Sequence, residues 1–298
     1  MVARGFELSM SGVRSFVDKQ LCRRTVNNIS ELKPNEYDVI IFGSDQVWRP
    51  IYFRPFFWNM CNAFGEFATE WNHIILASYA ASFGIDSLKE YTKEELKEIP
   101  SLLQRFKGVS VREDSGVELC RQLGAKAVHV LDPTMLLNKE DYVSLIDVSE
   151  KVTEKRKGIM TYILNWTEAS DEVIFEMAKM TGKSVFSTLS SYGEPSKPLE
   201  QWLAGFCDAD FVITDSFHAC VFSIIFCKPF VVLSNSWRGN ARIDSLLKMF
   251  GLEHHKLSRV SDLLPIEQYE INVNALDKKF TNFREVSFGF LKQVLDKS

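Results

Sequence analysis

The sequence predicts an α/β protein with mainly parallel sheets, built in two halves. Three observations carry that reading. Short apolar runs alternate with longer amphipathic stretches, which is the rhythm of βαβ units. The runs are apolar throughout, as strands buried on both faces are. The rhythm halts at a polar, charge-rich stretch over residues 147–157 and then restarts, in a chain whose 298 residues already suggest two domains.

In the first half the strand candidates are residues 37–42, 74–80, 108–111 and 127–131. Helical spacing fills residues 93–106 and 114–123, with Gly124 as a stop. The second half opens with a strand over 157–164 and a helix over 168–180 that ends near Gly182. A strand over 184–188, a helix over 199–207 and a strand over 211–213 follow. A buried helix over 218–226 and a strand over 230–233 complete the rhythm. The tail, 276–298, has helical apolar spacing and is expected to pack across both halves. Two Rossmann-like domains follow, residues 1–150 and 151–298, alike in rhythm and with no internal repeat.

Composition narrows the function. Apolar residues make up 46% and charged residues 25% of the chain, ordinary for a globular protein, and the 23 Phe residues read as core filling. A net charge of −4 gives no basic field for nucleic acid, so an anionic substrate needs a local cluster of Arg or Lys. No apolar run reaches membrane-spanning length, and the first sixteen residues lack the apolar stretch of a signal peptide. Six cysteines without a CxxC pair read as reduced, buried thiols of a cytoplasmic protein. No His or Cys group has the spacing of a zinc site, and no metal is expected.

In open parallel sheets, ligands bind beyond the carboxyl ends of the strands. Gly43, Ser44 and Asp45 follow the first strand at once. Gly43 permits close backbone approach or a positive φ, Ser44 and Asp45 could cap the next turn, and Trp48 offers a stacking surface. Arg112 ends a strand, where its guanidinium could fork onto a carboxylate or phosphate or pair with Glu113 or Asp114. In Asp132-Pro133-Thr134, Pro133 holds the residue before it extended and Thr134 is a candidate cap. Asn165 follows a strand in the second half.

His218 is the sharpest single residue. It stands between a strand and a helix, with Asp215 and Ser216 placed to cap that helix, and can serve as general acid or base near neutral pH. His73, His129, His254 and His255 read as surface or edge residues. Arg238 and Arg242, four apart, share a face if a helix opens between them, and with Arg112 they would make a cationic pocket.

Seven segments resemble the polysaccharide pyruvyl transferases. They are YDVIIFGSDQVW (37–48), ILASYAASFG (75–84), GVSVRED (108–114), HVLDPTMLL (129–137), YILN (162–165), DADFVITDSFHACVFSIIFCKPFVVL (208–233) and WRGNARIDSLLKMFGL (237–252). The resemblance implies a two-domain fold like GT-B glycosyltransferases. It implies transfer of the enolpyruvyl group of phosphoenolpyruvate to a sugar or lipid-linked oligosaccharide, with no cofactor. A lipid-linked acceptor would bring peripheral membrane contact. By the same resemblance Arg112 binds the donor's anionic groups, His218 is the key histidine, and Arg238 falls where some members keep a basic donor-binding residue. Asp215 or Asp45 would orient the histidine or a hydroxyl.

Two departures from the family pattern stand out. Ser216 occupies the place where many members carry an Arg, and no Asn-Tyr-Gly unit precedes Tyr37, so the first domain is expected to be truncated or short. Two other readings remain: a GT-B-like glycosyltransferase using a nucleotide sugar, and a catalytically silent binding protein.

Overall fold

The computed structural model describes residues 11–57, 59–147, 149, 152, 156–190, 194–234 and 239–296. In chain order the main elements begin with α1 (Ser11–Gln20), β1 (Val39–Gly43), α2 (Pro50–Phe57), β2 (Ile75–Tyr79) and α3 (Lys93–Leu103). Then come β3 (Phe106–Gly108), β4 (Ser110–Val111), α4 (Asp114–Gln122), β5 (Val128–His129), α5 (Lys139–Asp147) and β6 (Ile159–Tyr162). After these run α6 (Glu168–Thr181), β7 (Val185–Ser187), α7 (Leu199–Asp208), β8 (Phe211–Thr214) and α8 (Phe217–Ile225). The chain closes with β9 (Phe230–Leu233), α9 (Ala241–Phe250), β10 (Lys256–Leu257) and α10 (Val273–Leu295). Every described strand pair is parallel, as the continuous apolar runs predict.

The chain divides into two compact units that interleave in sequence. The N-terminal unit comprises Thr25–Leu136, Ser236–Phe250 and Asp277–Ser298; the C-terminal unit comprises Met1–Arg24, Leu137–Asn235 and Gly251–Leu276. The expected division at 150–151 assigned α9 and the whole tail to the second half. Strand rhythm shows that a helix exists, not which sheet its apolar face will cover.

The N-terminal sheet runs β1-β2-β3, and the ladder continues past Val109 as β4-β5. An isolated parallel bridge between Ala81 and Val111 carries β2's path onto β4. The break lies where the β2–β3 register shifts, and two fully buried serines repair it. Ser78 Oγ donates to Ser110 O and accepts from Ser110 N, while Ser110 Oγ donates to Ser78 O and accepts from Ala80 N. The hydroxyls thus replace ladder bonds that the irregularity removes. Trp48, Phe64, Phe83, Ile99 and Leu103 fill the core on one side. Phe290 and Val294 of α10 pack against Tyr79 and Val130 on another.

The C-terminal sheet has the order β10-β9-β8-β6-β7. From β6 the chain goes first to β7 on one side, then crosses to β8, β9 and β10 on the other. The switch point therefore lies between β6 and β8, where doubly wound sheets open a crevice for ligands. Helix α8 is apolar on all sides and buried, as the run His218–Phe226 implies. Phe222 takes edge-on contacts from Tyr142 at 4.9 Å and Trp202 at 5.1 Å. The stretch expected as linker lies largely outside the described residues. No described helix is long and apolar enough to cross a membrane.

Candidate functional site

In the N-terminal unit, the carboxyl ends of β1, β4 and β5 bring Asp45, Arg112 and Asp132 together. Arg112 Nη1 donates to Asp132 Oδ2 at 2.8 Å, and Nη2 donates to Asp45 Oδ1 at 2.7 Å. The Arg112 side chain is fully buried, as is that of Asp132, whereas the Asp45 side chain is 66% exposed. Asp132 also caps the turn after β5, accepting from Thr134 N and Thr134 Oγ1, so it is the cap that the sequence assigned to Thr134. Ser44 Oγ adds a bond to Asp132 Oδ2 at 3.2 Å rather than capping a turn.

Arg242, in the first turn of α9, reaches the same oxygen: its Nη1 lies 3.7 Å from Asp45 Oδ1. Burial pulls its pKa down to about 10, and the neighbouring Arg112 pulls the same way. For Arg112 burial also opposes the charge, but Asp132, Asp45 and Glu113 outweigh it and raise the pKa. What places Arg242 here is the approach of the 239–242 segment to the turn after β2. A Cβ on Gly239, at φ +77°, would stand 2.1 Å from Gly84 O.

That turn is held by Glu113. Its Oε1 accepts from Ser82 Oγ, Phe83 N and Gly84 N at 2.7 to 3.1 Å. Burial raises the Glu113 pKa against the pull of Arg112. The sequence offers Glu113 only as a partner for Arg112; a carboxylate next to a strand-end Arg is the signal for more. Asp45 is the second piece of the local frame. It adopts a left-handed φ of +62°, and its carbonyl accepts from Val47 N and Ser82 N. Gly43 does not take a positive φ. It is required by close approach, since a Cβ there would lie 2.1 Å from Tyr79 O.

Trp48 is a core ring rather than an open stacking surface. It is fully buried, lies 5.0 Å from Phe64 in a stacked pair, and donates Nε1–H to Ala63 O. Arg49, beside it, is pinned by Glu90 and lies over Tyr52.

In the C-terminal unit, Asp215 and His218 stand at the switch point. Both Asp215 oxygens bridge to the end of β6, accepting from Leu164 N at 2.7 Å and Asn165 N at 2.9 Å. Thr214 Oγ1 donates to Tyr162 O and accepts from Ser216 N. The crevice floor is therefore tied across β6 and β8, and the exposed Asn165 sits at its rim. Ser216 occupies the N-cap of α8 without a side-chain cap bond, and His218 is the second residue of that helix, half-buried. Asp215 thus acts as a brace between strands rather than as the cap expected of it.

Arg238 lies outside the described residues. Cys61, Cys120 and Cys220 are buried as expected, but Cys22 is exposed and Cys207 and Cys227 are half-buried. His255 is not a surface residue: it is fully buried, bonded through Nδ1 to Phe230 O at 2.8 Å, and burial lowers its pKa to about 4. His129 is half-buried, its Nε2 3.1 Å from Arg112 O. Among the described residues no three His, Cys, Asp or Glu side chains gather as a metal ion would need.

Comparison with known proteins adds a family. A sequence model of the family described as polysaccharide pyruvyl transferase matches residues 10–236. No curated protein matches the sequence. Among solved structures, the chain is similar to the wall teichoic acid polymerase TagF, at a TM-score of 0.36 and 13% identity over 98% of this chain and 92% of that one. A substituted form of TagF soaked with CDPG gives a TM-score of 0.35 and 12% identity, over 98% of this chain and 91% of that one.

Proposed function

The chain belongs to the polysaccharide pyruvyl transferase family, and from that premise we propose that it transfers the enolpyruvyl group of phosphoenolpyruvate to a sugar of a cell-surface polysaccharide precursor, closing a pyruvate ketal. The observation that carries the reading is the meeting of Arg112 and Arg242 on one carboxylate oxygen at the carboxyl ends of parallel strands. Two guanidinium groups aimed at one oxyanion position suit a donor that carries both a carboxylate and a phosphate.

His218 supplies the proton chemistry. It protonates the enol CH₂ carbon, which becomes a methyl group and leaves an oxocarbenium-like centre at the next carbon. A sugar hydroxyl oxygen bonds to that centre and returns its proton to His218. A second hydroxyl then forms the other ketal bond as the carbon–oxygen bond to phosphate breaks. Phosphate leaves with a proton from His218, and the second hydroxyl's proton restores the imidazolium. Fixed cations for the donor and a side chain that can give and take a proton are what these steps need.

Arg112, Arg242 and Arg238 are assigned to the donor. Gly43, Ser44 and Asp45 of the N-terminal unit, and Ser216 and Asn165 of the C-terminal unit, are assigned to substrate binding, the acceptor being a sugar or a lipid-linked oligosaccharide. We place the reaction in the cytoplasm, in keeping with six free cysteines. The test is phosphate release from phosphoenolpyruvate with sugar acceptors. His218→Ala and Arg112→Ala should each lose roughly 100-fold or more of wild-type release. Equal release by wild type and His218→Ala would remove His218 from the reaction. Thermal stabilisation by UDP and not by phosphoenolpyruvate would point instead to a nucleotide-sugar donor.

A further inference from the structure

We propose that the Asp45 carboxylate is a resident stand-in for the ligand's oxyanion: it fills the position between Arg112 Nη2 and Arg242 Nη1, and an incoming carboxylate or phosphate displaces it. The inference rests on the donor-binding role given above to the two arginines and adds how that site is kept closed.

Three features separate Asp45 from the other partners of Arg112. The first is exposure. Asp132 is as buried as the guanidinium it holds, but two thirds of the Asp45 side chain faces solvent. Moving Asp45 off the pair puts its charge into water, whereas moving Asp132 would strand a buried ion. The second is attachment. The Asp45 backbone is fixed by Val47 N and Ser82 N, in a left-handed conformation that few side chains adopt. The backbone stays while rotation about χ1 swings the carboxylate away. The third is convergence. Its one oxygen, Oδ1, faces both arginines, at 2.7 Å and 3.7 Å.

Charge accounting supports exchange rather than addition. Two arginines meet Asp45 and Asp132 here, with the buried Glu113 as a further carboxylate beside both, so the cluster carries no excess of positive charge while Asp45 stays in place. With Asp45 in water, the two arginines lose the carboxylate they share, and a ligand oxyanion takes its place. Arg112 does not move with the exchange, because Asp132 and its 2.8 Å bond keep the guanidinium oriented. Arg242 is the cation whose charge burial resists, so it gains from an anion that approaches closer than 3.7 Å. The device keeps two buried guanidinium groups paired between turnovers.

The experiment measures binding without turnover. Inorganic phosphate and pyruvate are titrated separately by calorimetry into the full chain, its Asp45→Asn and Asp45→Gly variants and the Asp45→Asn/Arg242→Ala double variant. Asp45→Gly suits the left-handed backbone and guards against loss of fold in the first variant, with thermal melting as the check. The expected result is tightening of about tenfold or more in both single variants, with most of the gain lost in the double variant. Tightening for phosphate, pyruvate or both identifies which oxyanion takes the position. Unchanged or weaker binding of both probes in folded Asp45 variants would overturn the proposal, as would equal tightening in the double variant. Tightened binding in a protein that turns over no phosphoenolpyruvate would leave this proposal standing and remove the pyruvyl-transfer reading.

Discussion

Arg112 is held by two carboxylates of opposite character, and that contrast sets what each contributes to stability. Asp132 and Arg112 are both buried, so Asp132→Ala takes from a buried guanidinium its fully buried ion-pair partner and also removes the cap on Thr134. The expected cost is about 3–5 kcal/mol. Asp45 pairs with the same guanidinium from a mostly exposed position, so Asp45→Gly, which suits its left-handed backbone, should cost no more than about 1 kcal/mol. Urea denaturation of both variants checks the ordering, and equal losses would contradict it. Arg112 was legible in the sequence because an Arg that ends an apolar strand has no packing reason to be there. Its partners were not, since Asp132 and Asp45 lie 20 and 67 residues away and only the sheet brings them near. His255 failed for a related reason. A His in a polar stretch reads as surface, and only the fold buries its ring against Phe230 and Tyr269.

At the scale of elements, apolar runs placed the described strands well, because a parallel strand covered on both faces must be apolar along its length. The strand expected over 108–111 is the informative exception. It breaks at Val109, and the serine pair that mends the break offers no periodic signal at all. Each serine of that pair exchanges hydrogen bonds with the other's backbone in a fully buried position. Ser110→Ala removes the acceptor of Ala80 N and the donor to Ser78 O, which should cost about 1–3 kcal/mol. The melting temperature should fall, with faster amide exchange at Ala80; an unchanged melting point would show that the backbone re-forms the ladder without the hydroxyl. The short helices α1 and α2 and the two-residue β10 carry too little pattern to find, and Pro55 inside α2 interrupts the helical signal there.

For the whole molecule, the restart of rhythm correctly indicated two parallel-sheet units but not their membership. The cause is physical: an amphipathic helix advertises an apolar face, and the partner for that face is chosen in three dimensions. The tail shows what depends on that choice. Leu131 N donates to Ser287 Oγ, Arg284 Nε donates to Met135 O, and Phe290 and Val294 cover Tyr79 and Val130. Leu131 directly precedes Asp132, so the helix secures the strand end that orients Arg112. A chain ending at Leu276 loses these contacts together, including Phe280 against Phe250. Removing one buried Phe side chain alone costs about 3–5 kcal/mol, a large part of a domain's stability. Hydrogen exchange on the truncated chain should therefore show β1, β2 and β4 unprotected while β6, β8 and β9 keep their protection. Phosphate binding at Arg112 should be lost with them. Had the tail belonged to the second half, as its place in the sequence suggests, the pattern would be reversed, with protection lost from β6, β8 and β9.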